Sequence, residues 1–210
     1  MKDISKRLIS GLIYILIMWY GVSYELSYIL LFSTLGILSL YEMWKLRRNK
    51  SKIIAFSFII IPFILIQFIG NSNFNENIFN PSIVLFMLLL TWTFDSFAFL
   101  LGIKFGKNKM APKISPKKSW EGFFGGYIFT IIVSYFTYSF FNFEAIKIPL
   151  IISMILPVTA TTGDLTISFY KRQAKVKDSG TLIPGHGGIL DRMDAFMITI
   201  PSIYIIINFL

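Results

Sequence analysis

The chain has 210 residues, of which 55% are hydrophobic, 17% aromatic and only 15% charged. About a quarter of a typical soluble domain is charged, so this composition excludes an ordinary soluble core and points to one integral membrane domain. With no cysteine, neither a disulfide framework nor a thiolate metal site is available, and the net charge of +9 suits nucleic acid, anionic lipid or an anionic substrate only if topology does not account for it first.

Residues 1–22 join a charged start (Lys2, Lys6 and Arg7) to an apolar centre that lacks a small-residue cleavage site. That pattern predicts a retained first helix, not a removed leader. Seven apolar segments can be drawn, at 8–22, 25–43, 53–70, 80–102, 121–142, 147–168 and 192–210. Runs of about 17–25 apolar residues are long enough to cross a bilayer as helices. The expected fold class is all-α: a polytopic transmembrane bundle of about 7 spans. It forms a single domain, with 1–80 as N-terminal spans and 81–210 as the part carrying the chemistry. The last segment is short and contains Pro201, so it is expected to cross obliquely or incompletely.

The charges alternate between loops. With the N-terminus inside, the inner segments hold 19 of the 20 Lys and Arg residues, and Lys147 is the exception; the outer loop 71–79 has no base. This positive-inside pattern places the N-terminus in the cytoplasm and the C-terminus outside. It also explains most of the net charge without a ligand, so nucleic acid is not expected as a partner.

The chemistry-bearing residues collect towards the inner side. Asp95 lies near the inner end of the fourth segment and Asp164 near that of the sixth. A carboxylate inside a span costs about 2.5–3.5 kcal/mol at the bilayer centre, and it marks a functional site or pairs with a base for packing. The basic block 104–121 ends in Ser115, Pro116, Lys117, Lys118, Ser119 and Trp120. It reads either as a positive-inside loop or as a phosphate-binding patch, with Trp120 at the interface and Ser119 capping the fifth helix. Gly122 and Gly126 then form a GxxxG packing face.

On a continued helix Asp164, Ser168 and Lys171 share one face, with Thr161 preceding them. Downstream, Pro184 to Gly188 reads PGHGG around the only histidine, His186. Such a stretch is either a plain turn or an amide nest for an anion. Asp191 and Asp194, three apart, are either charge decoration at a helix start or a divalent cation site with Asp164. Hard oxygen ligands without cysteine suit magnesium or manganese, not zinc.

The pattern of Ser168, Lys171–Arg172, Lys177–Asp178, Pro184 to Gly188 and Asp191–Arg192–Met193–Asp194 resembles the signature of the phosphatidate cytidylyltransferases, the CDP-diacylglycerol synthases. Gly163 to Leu165, Asp95, Gly102, Phe105–Gly106, Ala111 to Lys113 and Ser115 to Gly122 are similar too. The resemblance covers roughly 90–200. Tyr170, Ser119 and Ser96–Phe97 depart mildly from the pattern, and the N-terminal half is short beside longer members, which bears on the lipid entrance.

The resemblance implies that CTP and phosphatidic acid give CDP-diacylglycerol and pyrophosphate. It implies Mg2+, with room for a second cation, held by Asp164, Asp191 and Asp194. Lys171 joins these three as catalytic. Ser115, Lys117, Lys118, Ser168, Arg172, Lys177, His186, Gly187, Gly188 and Arg192 bind substrate, His186 as a donor to phosphate. The implied setting is a bacterial inner membrane, with the site facing the cytoplasm in a homodimer to which the Gly122–Gly126 face contributes. One competing reading is a CTP-dependent enzyme acting on an ether or isoprenoid lipid. A transporter with Asp95 and Asp164 along its pathway is another, disfavoured because the polar residues gather at one end. A CDP-alcohol phosphotransferase lacks its paired carboxylate motifs here.

Overall fold

The computed structural model describes residues 2–48, 50–70, 79–143, 145–182 and 187–209, with side chains from residue 11 onward. Helix α1 (Lys2–Ser23) runs almost directly into α2 (Glu25–Leu46). Tyr24 between them is extended, at φ −125° and ψ 139°, and the Ser27 hydroxyl donates to the Gly21 and Tyr24 carbonyls to brace the turn. Helix α3 (Ile53–Gly70) returns against α2. Gly36 of α2 abuts the Phe63 ring, Gly70 abuts the Tyr28 ring, and the Tyr28 hydroxyl donates to the Ile66 carbonyl. Lipid supplies no hydrophobic drive between helices, so close packing at small residues and hydrogen bonds must hold them together.

Helix α4 (Ser82–Phe105) leads into a hairpin of β1 (Lys109–Ala111) and β2 (Ser115–Ser119), followed at once by α5 (Trp120–Thr137). The hairpin pairs Lys109 with Ser119 and Ala111 with Ser115, with an irregularity between. Ser119 caps α5 as expected, its hydroxyl accepting from the Gly122 amide at 3.3 Å. The α4–α5 pair is the most extensive helix contact of the fold. A Cβ at Gly122 would meet the Ala98 carbonyl and Gly102, and one at Gly126 would meet Phe94 and Ala98. The Gly122–Gly126 face therefore packs within the chain against α4, as its packing reading expects.

A 3-10 turn (Tyr138–Phe141), stopped by the left-handed Asn142, precedes α6 (Lys147–Gln173). After the 174–189 loop, α7 (Leu190–Met193) and α8 (Phe196–Phe209) complete the chain. Among the described residues, five helices, α2, α3, α4, α5 with its 3-10 extension, and α6, are long and apolar enough to cross a membrane. Within α1, the part whose side chains are described, Gly11–Ser23, is a shorter apolar helix. The expected final segment 192–210 is divided: α8 has 14 residues and rises about 21 Å at 1.5 Å per residue, short of a hydrocarbon core about 30 Å thick.

Tyr28, Phe32, Phe86, Ile152 and Ile200 are buried, whereas Ile53 and Phe140 are each 81% exposed. Large apolar side chains turned outward at that exposure suit lipid, not water. Several hydroxyls inside the spans bond to backbone carbonyls of their own helix, Thr91 to Met87 and Thr130 to Gly126, which suits a medium without water. Thr159 and Thr199, 3.0 Å apart, tie α6 to α8.

Candidate active site

The ends of α2, α4 and α6 and the start of α5 meet at one end of the bundle. There the Arg47 guanidinium donates to Gln173 Oε1 at 2.6 Å and Lys50 to the Gln173 carbonyl at 3.2 Å. The predicted polar face of α6 exists: Ser168 Oγ donates to Asp164 Oδ1 at 3.1 Å, one helical turn apart. One turn further on, Lys171 is buried and its ammonium lies 2.6 Å from Asp191 Oδ1.

Asp191 closes the 174–189 loop onto α6. Its Oδ2 accepts from the Ser179 amide at 2.8 Å and the Gly188 amide at 3.0 Å. Gly187 reaches φ +84°, and a Cβ there would collide with Asp191 Oδ2, so only glycine fits. Burial pushes the Asp191 carboxyl up, but the hydrogen bonds from Lys171, Gly188 and Ser179, with the Lys171 charge, prevail and hold it below the ordinary carboxylate value.

The hairpin supplies a second cation. Lys118 of β2 pairs with Asp164 Oδ2, both side chains about a quarter exposed. Arg172 braces the same hairpin, its Nε donating to the Ile114 carbonyl at 3.1 Å and its Nη1 to Val176 at 2.8 Å. Asp194 sits where α7 turns into α8, against α6; its carbonyl occupies the space a Cβ on Gly163 would need. Asp95, Asp164 and Asp194 repel one another there, opposed by the charges of Lys118, Lys171 and Arg192. Among the described residues no three His, Asp or Glu side chains form a ready-made ion cage.

A cavity of about 560 Å³ opens between α4, the hairpin and α5. Its lining includes the polar Asp95, Lys117, Lys118 and Thr161 and the aromatic Phe94, Phe99 and Phe123. Asp95 is exposed on the wall of this cavity.

The structure brings together Asp164, Ser168, Lys171, Asp191, Asp194, Gly187, Gly188, Arg192 and Lys118 at this end. Lys117 is exposed at the cavity rim, Ser115 pairs into the hairpin, and Arg172 and Lys177 are exposed. His186 lies outside the described residues. Sequence reasoning missed Glu42 of α2, which is 2% exposed and bonded to the same loop. An acid inside an apolar span was the signal that could have found it.

Carboxylates, buried and partly exposed cations, loop amides and a cavity with polar and apolar lining gather at one end of a multi-pass helical bundle, a set of groups suited to an enzyme acting on anionic substrates. The profile of the Cytidylyltransferase family matches residues 53–210. A phosphatidate cytidylyltransferase of Rickettsia typhi is 34% identical over 97% of this chain and 91% of its own length. One of Rickettsia bellii is 32% identical over 98% and 91%, and one of Staphylococcus saprophyticus is 45% identical over 59% of this chain and 48% of its own. The chain belongs to the cytidylyltransferase family and is a nucleotidyltransferase.

Proposed function

We propose that the chain makes CDP-diacylglycerol and pyrophosphate from CTP and phosphatidate at the cytoplasmic face of a bacterial inner membrane. Relatives spanning nearly its full length carry that activity in their names. The observation that carries the reading is the two ion pairs Lys118–Asp164 and Lys171–Asp191 on α6, the first of them at a cavity lined by both polar and aromatic residues. A lipid phosphate and a triphosphate are both anions, and a lipid reactant also needs an apolar wall.

A phosphate oxygen of phosphatidate attacks the α-phosphorus of CTP. The new P–O bond forms as the bond to the β-phosphate breaks, and pyrophosphate leaves with the electron pair. The second pKa of a phosphate monoester is about 6, so the nucleophile is already ionised and no strong base is needed. Lys118, Lys171 and Arg192 offset the anionic charge of the two reactants and the leaving group. Ser115, Lys117, Arg172, Lys177 and the Gly187–Gly188 stretch complete the phosphate contacts, with Ser168 orienting Asp164.

The donor set fits magnesium. It is oxygen only, and each carboxylate has about four lone-pair sites. Asp164 and Asp191 use part of that capacity on protein donors. Magnesium is usually held by one or two carboxylates together with substrate phosphates, not by a complete protein cage. Asp164, Asp191 and Asp194 would hold it, and when bound it would supply charge neutralisation at the transferring phosphates. A homodimer belongs to the same proposal.

The test is conversion of CTP and defined phosphatidate to CDP-lipid by the purified protein, with magnesium and with a chelator. Magnesium-dependent product from phosphatidate, and none from an isoprenoid or ether-lipid alternative, is expected. Preference for one of those alternatives overturns the substrate assignment.

A further inference from the structure

Glu42 is a carboxylate at 2% exposure, one turn before the end of α2. A charge in such a place is retained only where donors replace the lost water. All three donors come from the segment that ends at Asp191. The Ile189 amide donates to Oε1 at 3.0 Å, the Leu190 amide to Oε2 at 2.9 Å, and the Ser179 hydroxyl to Oε2 at 2.6 Å. Gly180 and Gly188 press on the same carboxylate, and a Cβ at either would collide with it.

Two carboxylates therefore grip the same two ends of one loop. Asp191 takes the Ser179 and Gly188 amides, while Glu42 takes the Ser179 hydroxyl and the next two amides, Ile189 and Leu190. Asp191 follows directly on Leu190, and Lys171 is paired to Asp191. We infer that Glu42 is a positioning residue of the transfer reaction, setting through Ser179, Ile189 and Leu190 where Asp191 and Lys171 stand. The inference rests on the functional reading above. It assigns to α2, outside the 53–210 family match, a part in the active site's geometry.

The chemistry distinguishes the variants. In Glu42→Gln the amide nitrogen must replace Oε1 or Oε2, and either way it faces a backbone N–H with another N–H. Space is kept, but at least one donor loses its acceptor, and two do if the nitrogen takes the place of Oε2. Glu42→Ala removes all three bonds, and Ser179→Ala removes one. Purified proteins are compared for kcat, for KM towards phosphatidate and CTP, and for melting temperature in detergent. Expected for Glu42→Gln is a fall in kcat of at least about tenfold per folded molecule, with KM for phosphatidate within about twofold of wild type. Ser179→Ala loses less, and the double variant loses less than the product of the two single losses.

Wild-type kcat in folded Glu42→Gln, or effects of Glu42→Gln and Ser179→Ala that multiply independently, overturns the inference while wild-type turnover leaves the functional reading standing. If Glu42→Ala and Glu42→Gln do not insert, Ser179→Ala decides by the same kcat measurement, and unchanged kcat overturns the inference. A wild-type protein that makes no CDP-lipid overturns the functional reading and the inference with it.

Discussion

Asp191 holds three bonds at the site, as many as Glu42. It neutralises a buried lysine and accepts two loop amides, so its replacement acts on chemistry and on structure together. Asp191→Asn should abolish CTP-dependent conversion while the protein still inserts into membranes; turnover in the purified variant sinks the assignment. Because the folded carboxyl lies below its ordinary value, its stabilisation is fully present above the unfolded value of about 3.9 and fades as pH falls through the lower folded value. Melting in detergent should therefore show an acid-side loss below about pH 4 that is smaller in Asp191→Asn. Equal acid dependence in both proteins contradicts that account. The Asp164–Ser168 contact and the nearness of Lys171 were legible from helical spacing alone. The Lys171–Asp191 and Lys118–Asp164 pairs were not, because nothing in a linear pattern says which base reaches which acid.

At the scale of elements, the glycines decide how closely helices approach. Gly126 sits directly on Phe94 and Ala98 of α4, so Gly126→Leu has to push α5 away from α4 and open the cavity they share with the hairpin. Overpacking of this kind costs about 1–3 kcal/mol, and the variant should melt lower and lose activity in proportion to its misplaced hairpin. A wild-type melting temperature contradicts the packing role. The GxxxG spacing was visible in the sequence, but its partner was not. A small-residue face fits a second copy or a neighbouring helix equally well until the fold puts α4 against it. The break between α7 and α8 was hidden for a related reason: Asp191, Asp194 and the following apolar run continue one helical pattern, and only the turn around Asp194 divides it.

For the whole molecule, the charge alternation predicts that the loops after α2, α4 and α6 share one side. The structure joins them through the Arg47–Gln173, Lys118–Asp164 and Glu42–Ser179 contacts. Since the chain has no cysteine, single replacements report topology cleanly. Ser51→Cys and Lys177→Cys should resist an impermeant thiol reagent in intact cells and react after lysis, whereas Ala145→Cys should react in intact cells. The reverse pattern means the opposite orientation.

Composition and run length alone determined a helical membrane protein, because a bilayer requires long apolar segments and leaves no other place for so many of them. The motif spacing alone determined which acids, bases and glycines matter between Asp164 and Asp194, because helical periodicity and turn chemistry are local. Only the tertiary structure decided that Glu42, more than 130 residues earlier in the chain, grips that same loop, that the Gly122–Gly126 face packs inside the chain, and that Asp95 opens on the cavity. Each of these depends on which surfaces meet, and in a bundle where nearly every helix is apolar the pairing is set by close packing and a few buried hydrogen bonds, which no linear pattern records.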